Sequence, residues 1–287
     1  MQTVVPVKSK YPLLVPWLVL VPVIFMGSCM PEKEIAKKFI ETRAGIHLQV
    51  FTPQFLYKYN HKGEEIPGFD SLTETQQDSA LYTESRYIRY IEDSIYLDKY
   101  VNNFIDELRE LGFKVFLDTS LEAFLAGQPQ SYLVNIAQIQ LDEYIYPYEE
   151  QEVFFDTVFY KLVDVNAMDA SVWFELNKLN AQNPVKRVLY SSFTTTDGLD
   201  GRFYSDPLTW NVQYRYTLDT LRIEDIYDLA AYTGRKHASF LFDYFMNQYI
   251  AYHMPEGMDV LGYFHYNRFR NTVTLTEDEM FEVLDSR

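Results

Sequence analysis

The sequence predicts an α+β protein, a mostly antiparallel sheet with helices packed on one face. Three observations predict it. Apolar residues recur at three- and four-residue steps over 94–111 and again over about 223–253, the period of a helix face. Between these stretches, 132–194 carries runs of β-branched and aromatic residues of strand character. Grouped strands with helices outside the group, rather than regular alternation, belong to the α+β class.

The chain begins with what reads as an address. Lys8 and Lys10 are the only charges before Glu32, and a 14-residue apolar stretch, Leu13 to Met26, follows them. It is short of the ~20 residues that span a bilayer as a helix. Pro16 and Pro22 interrupt it, and each removes a helical hydrogen bond. Small Gly27 and Ser28 then precede Cys29, the only cysteine. A basic start, a short apolar run and a small-residue site read as a secretory signal over 1–28. Met26-Gly27-Ser28-Cys29 resembles a bacterial lipobox, with Met where Leu is commonest. That resemblance implies cleavage before Cys29 and acylation of its thiol and new amine. Loss of Lys8 and Lys10 takes the net charge from −16 to −18. Such a surface repels anionic headgroups, so acyl chains must do the membrane binding.

Residues 29–45 carry alternating charge and read as a tether. The expected domain spans 46–256. Ile46 to Tyr59 is strand-like, with Pro53 marking an edge or an end. Residues 61–78 read as a loop. The stripe Leu97, Val101, Phe104, Ile105, Leu108, Leu111 predicts a helix over 94–111, stopped by Gly112. Phe113 to Leu117 reads as a short strand and Leu121 to Ala126 as a short helix capped by Ser120. Long strand runs follow at 132–146, 153–165 and 170–179, with a tight turn expected at Asn166 to Asp169. Val188 to Thr194 and Trp210 to Leu218 read as further strands, and 194–200 as a loop. The stretch 223–253 predicts a long helix divided at Gly234. Residues 257–287 read as a C-terminal extension, with a last strand or ordered tail at 263–273 and an acidic helix or frayed end at 277–285.

Function classes can be excluded or weakened from composition. Acids outnumber bases 41 to 25, which argues against a nucleic-acid partner. The five histidines show no HExxH or HxH spacing, and no metal site or cofactor is expected. No Gly-x-Ser-x-Gly elbow or phosphate-cradling glycine cluster occurs, so no catalytic residue is nominated and the protein reads as a non-enzyme. Asp197 to Gly201 has a calcium-like flavour through Asp197 and Asp200 but lacks the EF-hand spacing. Carboxylate pairs such as Asp142/Glu143 and Asp164/Asp169 are too common in this composition to single out. Tyr144, Tyr146 and Tyr148 alternate along one run and would share a face if extended, a candidate aromatic binding face.

The order of elements after the lipobox carries a further resemblance. A strand and a helix ending ELRELGFKV lead to a Leu-rich short helix, the long strand SYLVNIAQIQLDEY, a hairpin containing VWFEL and a long helix. This order, over about 46–252, resembles the small α/β envelope lipoproteins of Gram-negative bacteria, in a Bacteroidetes style. They include transport-auxiliary lipoproteins, LptE-like proteins of lipopolysaccharide assembly and CsgG-like curli secretion lipoproteins. The resemblance implies an outer-membrane, lipid-anchored, non-catalytic subunit that binds another envelope protein in a transport or assembly machine. Met30 rather than Asp after Cys29 leaves the inner-membrane retention signal missing, and the periplasmic face is favoured over the cell surface. Two alternatives stand beside it: a surface glycan-binding lipoprotein and an unrecognised hydrolase.

Overall fold

The computed structural model describes residues 30–117, 120–125, 130–154, 156–179, 186–277 and 280–284. The leader, Cys29 and the end of the predicted short helix at Ala126 lie outside them. The helices are α1 (Pro31–Thr42), α2 (Glu74–Glu84), α3 (Asp93–Glu110), α4 (Leu121–Leu125) and α5 (Ile223–His253). The strands are β1 (His47–Phe51), β2 (Tyr57–Asn60), β3 (Lys114–Phe116), β4 (Ser131–Phe154), β5 (Thr157–Lys178), β6 (Arg187–Thr196), β7 (Gly198–Ser205), β8 (Val212–Asp219), β9 (Tyr263–Asn267), β10 (Thr272–Thr276) and β11 (Glu282–Leu284).

The protein is α+β, as expected, but its main sheet is mixed rather than mostly antiparallel. The order is β11-β6-β5-β4-β1-β3, with β2 also on β4. β1 runs parallel to β3 and β4, and β2 runs parallel to β4. The remaining pairings, β4 with β5, β5 with β6 and β6 with β11, are antiparallel. Parallel neighbours need a long crossover. Here α2 and α3 are that crossover, returning the chain from β1 to β3 in the same direction. β1 and β2 share one edge of β4, interrupted where Pro53 has no N–H to give.

One face of the sheet carries the core. Phe104 of α3 stacks on Phe174 of β5 at 5.6 Å, and the Tyr100 hydroxyl meets His237 of α5 at 2.8 Å. The buried stripe of α3 centres on Tyr96, Tyr100, Phe104 and Leu108, with Leu97 and Val101 only half-buried. Gly112 ends α3 at φ 96°, and the Phe113 N–H closes back on the Leu108 carbonyl at 3.1 Å. The helices are not all on this face. α4 lies on the other, where its Phe124 meets Phe116 and covers His47 and Gln49 of the opposite strand parity.

Several local expectations are corrected. The stretch expected as a tether is α1, which buries Ile35, Ala36 and Phe39 and meets Phe242 of α5 through Phe39. The loop expected over 61–78 contains the start of α2. That helix buries no side chain, so it has no apolar stripe to read, and a Thr73–Gln76 capping box starts it. No turn occurs at 166–169: β5 runs straight through, and the hairpin closes beyond Phe154, with Asp156 at φ 60°. Gly198 to Asp200 belong to β7, not to a loop. α5 is unbroken at Gly234, where a Cβ would lie 2.4 Å from the Tyr100 carbonyl oxygen. The glycine lets α3 approach, rather than dividing the helix. The C-terminal extension is built into the fold. Phe264, Tyr266 and Phe281 are buried in the core, and the expected acidic end supplies β11 to the sheet.

Candidate functional site

The long β4–β5 hairpin organises every feature that could serve binding. β5 leaves β6 at the pair Ala167–Thr196, and β4 leaves β2 at Glu143–Asn60. Beyond those points the two strands pair only with each other, out to Phe154 and Thr157. About ten residues at ~3.3 Å each make an arm of roughly 30 Å.

A buried polar cluster anchors the base of this arm. The fully buried Glu143 carboxylate accepts from Lys62 Nζ at 2.8 Å, from Ser85 Oγ at 2.9 Å and from the backbone N–H groups of Arg86, Tyr87 and Ile88. Lys62 also donates to Asn166 Oδ1 at 2.7 Å. Asn166 Nδ2 donates to Asp197 at 2.7 Å, which also accepts from the Leu221 N–H. Burial pushes both carboxyls up, but Lys62 and the backbone amides at Glu143, and Asn166 and the Leu221 amide at Asp197, outweigh it. Both stay ionised to lower pH than ordinary carboxyls. Asp197, read as a calcium-flavoured loop residue, is thus a buried acceptor, and Asp200 sits in β7 opposite Thr217. This cluster is a clamp on the chain, with its lone pairs and protons used internally.

The predicted aromatic residues Tyr144, Tyr146 and Tyr148 do share one face of the arm. Tyr146 and Tyr148 are exposed, and Tyr144 is half-buried. The β7–β8 ribbon packs on that face, where the Tyr214 hydroxyl donates to Glu150 at 2.5 Å. Val163 and Val165, across from Tyr148 and Tyr146, are buried there. The other face of the arm is bare. Val153, Val158, Tyr160 and Leu162 lie on it at 64%, 55%, 74% and 54% exposure. By strand parity this face continues the core face of the sheet past the end of the helical layer. Sequence reading missed the strip because its residues looked like ordinary buried strand.

The side of the sheet opposite α3 and α5 carries a hydrogen-bonded ladder. Gln138 donates to Gln140, Gln140 to Asp142, and His61 Nε2 sits 2.7 Å from Asp142. On the next strands, Ser171 and Thr194 donate to Asp169. Tyr57 and Tyr59 are exposed on one margin, and Trp173 against Tyr190, with ring centres 4.9 Å apart, forms the other. Alternation sends Asp142 to this face and Glu143 to the opposite one, so the sequence pair never meets.

The histidines are scattered, as their spacing suggested. His237 is buried among Phe174, Phe193, Phe240 and Phe281, and burial drives its pKa down to about 3. His265 of β9 meets the buried Asp243 of α5 at 2.6 Å, a pair that sequence spacing gave no reason to suspect. Among the described residues, no group of three or more His, Cys, Asp or Glu is placed to hold a metal. None of their helices is long and apolar enough to cross a membrane.

No protein-family model matches this chain, and no curated protein matches it by sequence.

Proposed function

We propose that this protein is a lipid-anchored, non-catalytic envelope protein that binds another envelope protein through the β4–β5 arm. The anchor rests on the lipobox-like Met26 to Cys29. One structural observation supports the docking role: Val153, Val158, Tyr160 and Leu162 form a contiguous exposed apolar strip on an arm that projects past the sheet. Apolar strips of this kind are interaction sites or aggregation hazards in a monomer. The arm pairs with no further strand of the main sheet, so a partner can cover the strip and extend the core. Exposed, acidic Glu149 and Asp164 lie on the same face beside it, which suits a basic partner.

A photo-crosslinking residue placed at Tyr160 in the full chain, in native membranes, tests this. One discrete adduct is expected, lost with Leu162→Lys and absent when the crosslinker replaces the exposed Glu84 of α2. Identical adducts from both positions, or none from Tyr160, would overturn the docking site.

A specific observation favours glycan binding as the second reading. Trp173 and Tyr190 at one margin, and Tyr57 and Tyr59 at the other, bracket the amide and carboxylate ladder on a face of the sheet. Sugar rings stack on such platforms and hydrogen-bond to such groups. Specific retention on a polysaccharide column, abolished by Trp173→Ala, together with a silent Tyr160 crosslinker, would move the assignment there.

A further inference from the structure

At the opposite end of β4 from the arm, a half-open groove of about 620 Å³ lies between α5, the C-terminal end of α1 and the strand ends of β4, β5 and β6. That volume is in the range of small-ligand sites, ~300–1,000 Å³. Its walls are aromatic. Tyr132 packs on Phe245 at 4.7 Å between ring centres, and Phe39 on Tyr249 at 5.5 Å. Lys178 and Arg187 stand at its mouth, both exposed.

The charge pattern is the informative part. Acids outnumber bases 41 to 25 in the chain, yet among the described residues no Asp or Glu lines the groove. The neighbouring Lys186 is paired with Glu175 at 2.6 Å. Lys178 and Arg187 have no ion pair among the described residues, and Lys178 instead lies 5.8 Å from the centre of the Tyr132 ring. In so acidic a protein, two cations with no ion pair among the described residues, set over an aromatic floor, favour a negative ligand.

We propose that this groove binds a small amphiphilic organic anion. A flat, apolar body would lie against Tyr132, Phe245 and Tyr249. A carboxylate, sulfonate or phosphate would meet Arg187, whose planar fork suits two oxygens, and Lys178 as a point charge. Burial of the body supplies the affinity and the two cations fix the orientation. The site is separate from the arm, so ligand and protein partner can be held together.

Photoaffinity labelling of the full chain in membranes tests this with a diazirine-bearing naphthoate and its matched uncharged carboxamide. The naphthoate should label the segment 237–268 saturably, as read by peptide mass spectrometry. The carboxamide should label it about tenfold more weakly at equal concentration, the scale expected for losing charge-assisted bonds. In the double variant Lys178→Gln, Arg187→Gln the two probes should label alike, with an unchanged thermal midpoint because both side chains are exposed. Equal labelling of the wild type by both probes overturns the proposal, as does non-saturable labelling. Competition by an acidic peptide but not by unlabelled naphthoate would make the groove a peptide site and equally defeat it.

Discussion

The Lys62 ammonium lies 2.8 Å from the Glu143 carboxylate at side-chain exposures of 6% and 0%, joining positions 81 residues apart. The pair closes the loop after β2 onto the middle of β4, where the sheet gives way to the arm. Breaking one side of such a pair strands a buried charge. Glu143→Ala should therefore cost ~3–5 kcal/mol; the double replacement Lys62→Met, Glu143→Leu should cost somewhat less, since it removes the stranded ammonium but still leaves Ser85 and the amides of Arg86, Tyr87 and Ile88 without their acceptor. Urea unfolding of the three proteins measures it. Equal losses in single and double variants would show that the ion pair contributes little beyond packing.

Gly234→Ala is expected to destabilise by ~1–3 kcal/mol, the range for overpacking. Alanine is the better helix former by ~1 kcal/mol, so propensity alone predicts the opposite sign. The new Cβ would sit 2.4 Å from the Tyr100 carbonyl oxygen, a backbone atom that cannot turn aside. A raised thermal midpoint for this variant would refute the account of the α3–α5 approach.

His237 makes the fold acid-sensitive above the carboxylate range. Burial lowers its folded pKa to about 3, while the unfolded side chain titrates near 6.5. The unfolded state therefore binds the extra proton between those values, and stability falls as pH drops through that window. The slope approaches ~1.4 kcal/mol per pH unit. Glu143 and Asp197, with lowered pKa values, add to the loss below about 4.5 and 3.8. In His237→Gln the fall between pH 6 and 5 should shrink to what His47, whose pKa burial also lowers, contributes. A wild-type stability that is flat from pH 6.5 to 4.5 would sink this prediction.

The Asp243–His265 pair acts in the opposite direction. The hydrogen bond that His265 donates to Asp243 raises the His265 pKa, and burial raises that of Asp243. A raised histidine stabilises fully below 6.5 and loses that contribution as pH rises through its folded value. Burial of Asp243 has the same sign, resisting ionisation that the unfolded chain accepts. Stability should therefore decline as pH rises above 6.5, where the raised His265 loses its proton, the Asp243 penalty having set in from 3.8 upward, and His265→Gln should flatten the decline above 6.5. Thermal midpoints from pH 6 to 9 in both proteins decide it, an unchanged slope counting against the pair.

Cys29 is expected to carry acyl chains, since Gly27 and Ser28 end an apolar run directly before the only cysteine. Metabolic labelling with an alkyne palmitate should mark the wild type and spare Cys29→Ala. Equal labelling of both would remove the anchor from the proposal.

What the sequence determined by itself was local. The helices over 94–111 and 223–253, the strand character of 132–194 and the stop at Gly112 were legible because periodicity and a positive φ are properties of neighbouring residues. The shared face of Tyr144, Tyr146 and Tyr148 followed from the same rule. Only the tertiary structure decided the rest. α1 read as a tether because its charge pattern hides Ile35, Ala36 and Phe39, which become a core face only once α5 lies beside them. β1 and β3 became parallel neighbours because α2 and α3 carry the chain back across the sheet, a matter of long-range pairing. Val158, Tyr160 and Leu162 have the composition of buried strand and are exposed because the helical layer stops short of them. Lys62 and Glu143, and Asp243 and His265, acquire their roles from partners distant in the chain. Burial and long-range pairing depend on which surfaces meet, and no short window of sequence contains that information.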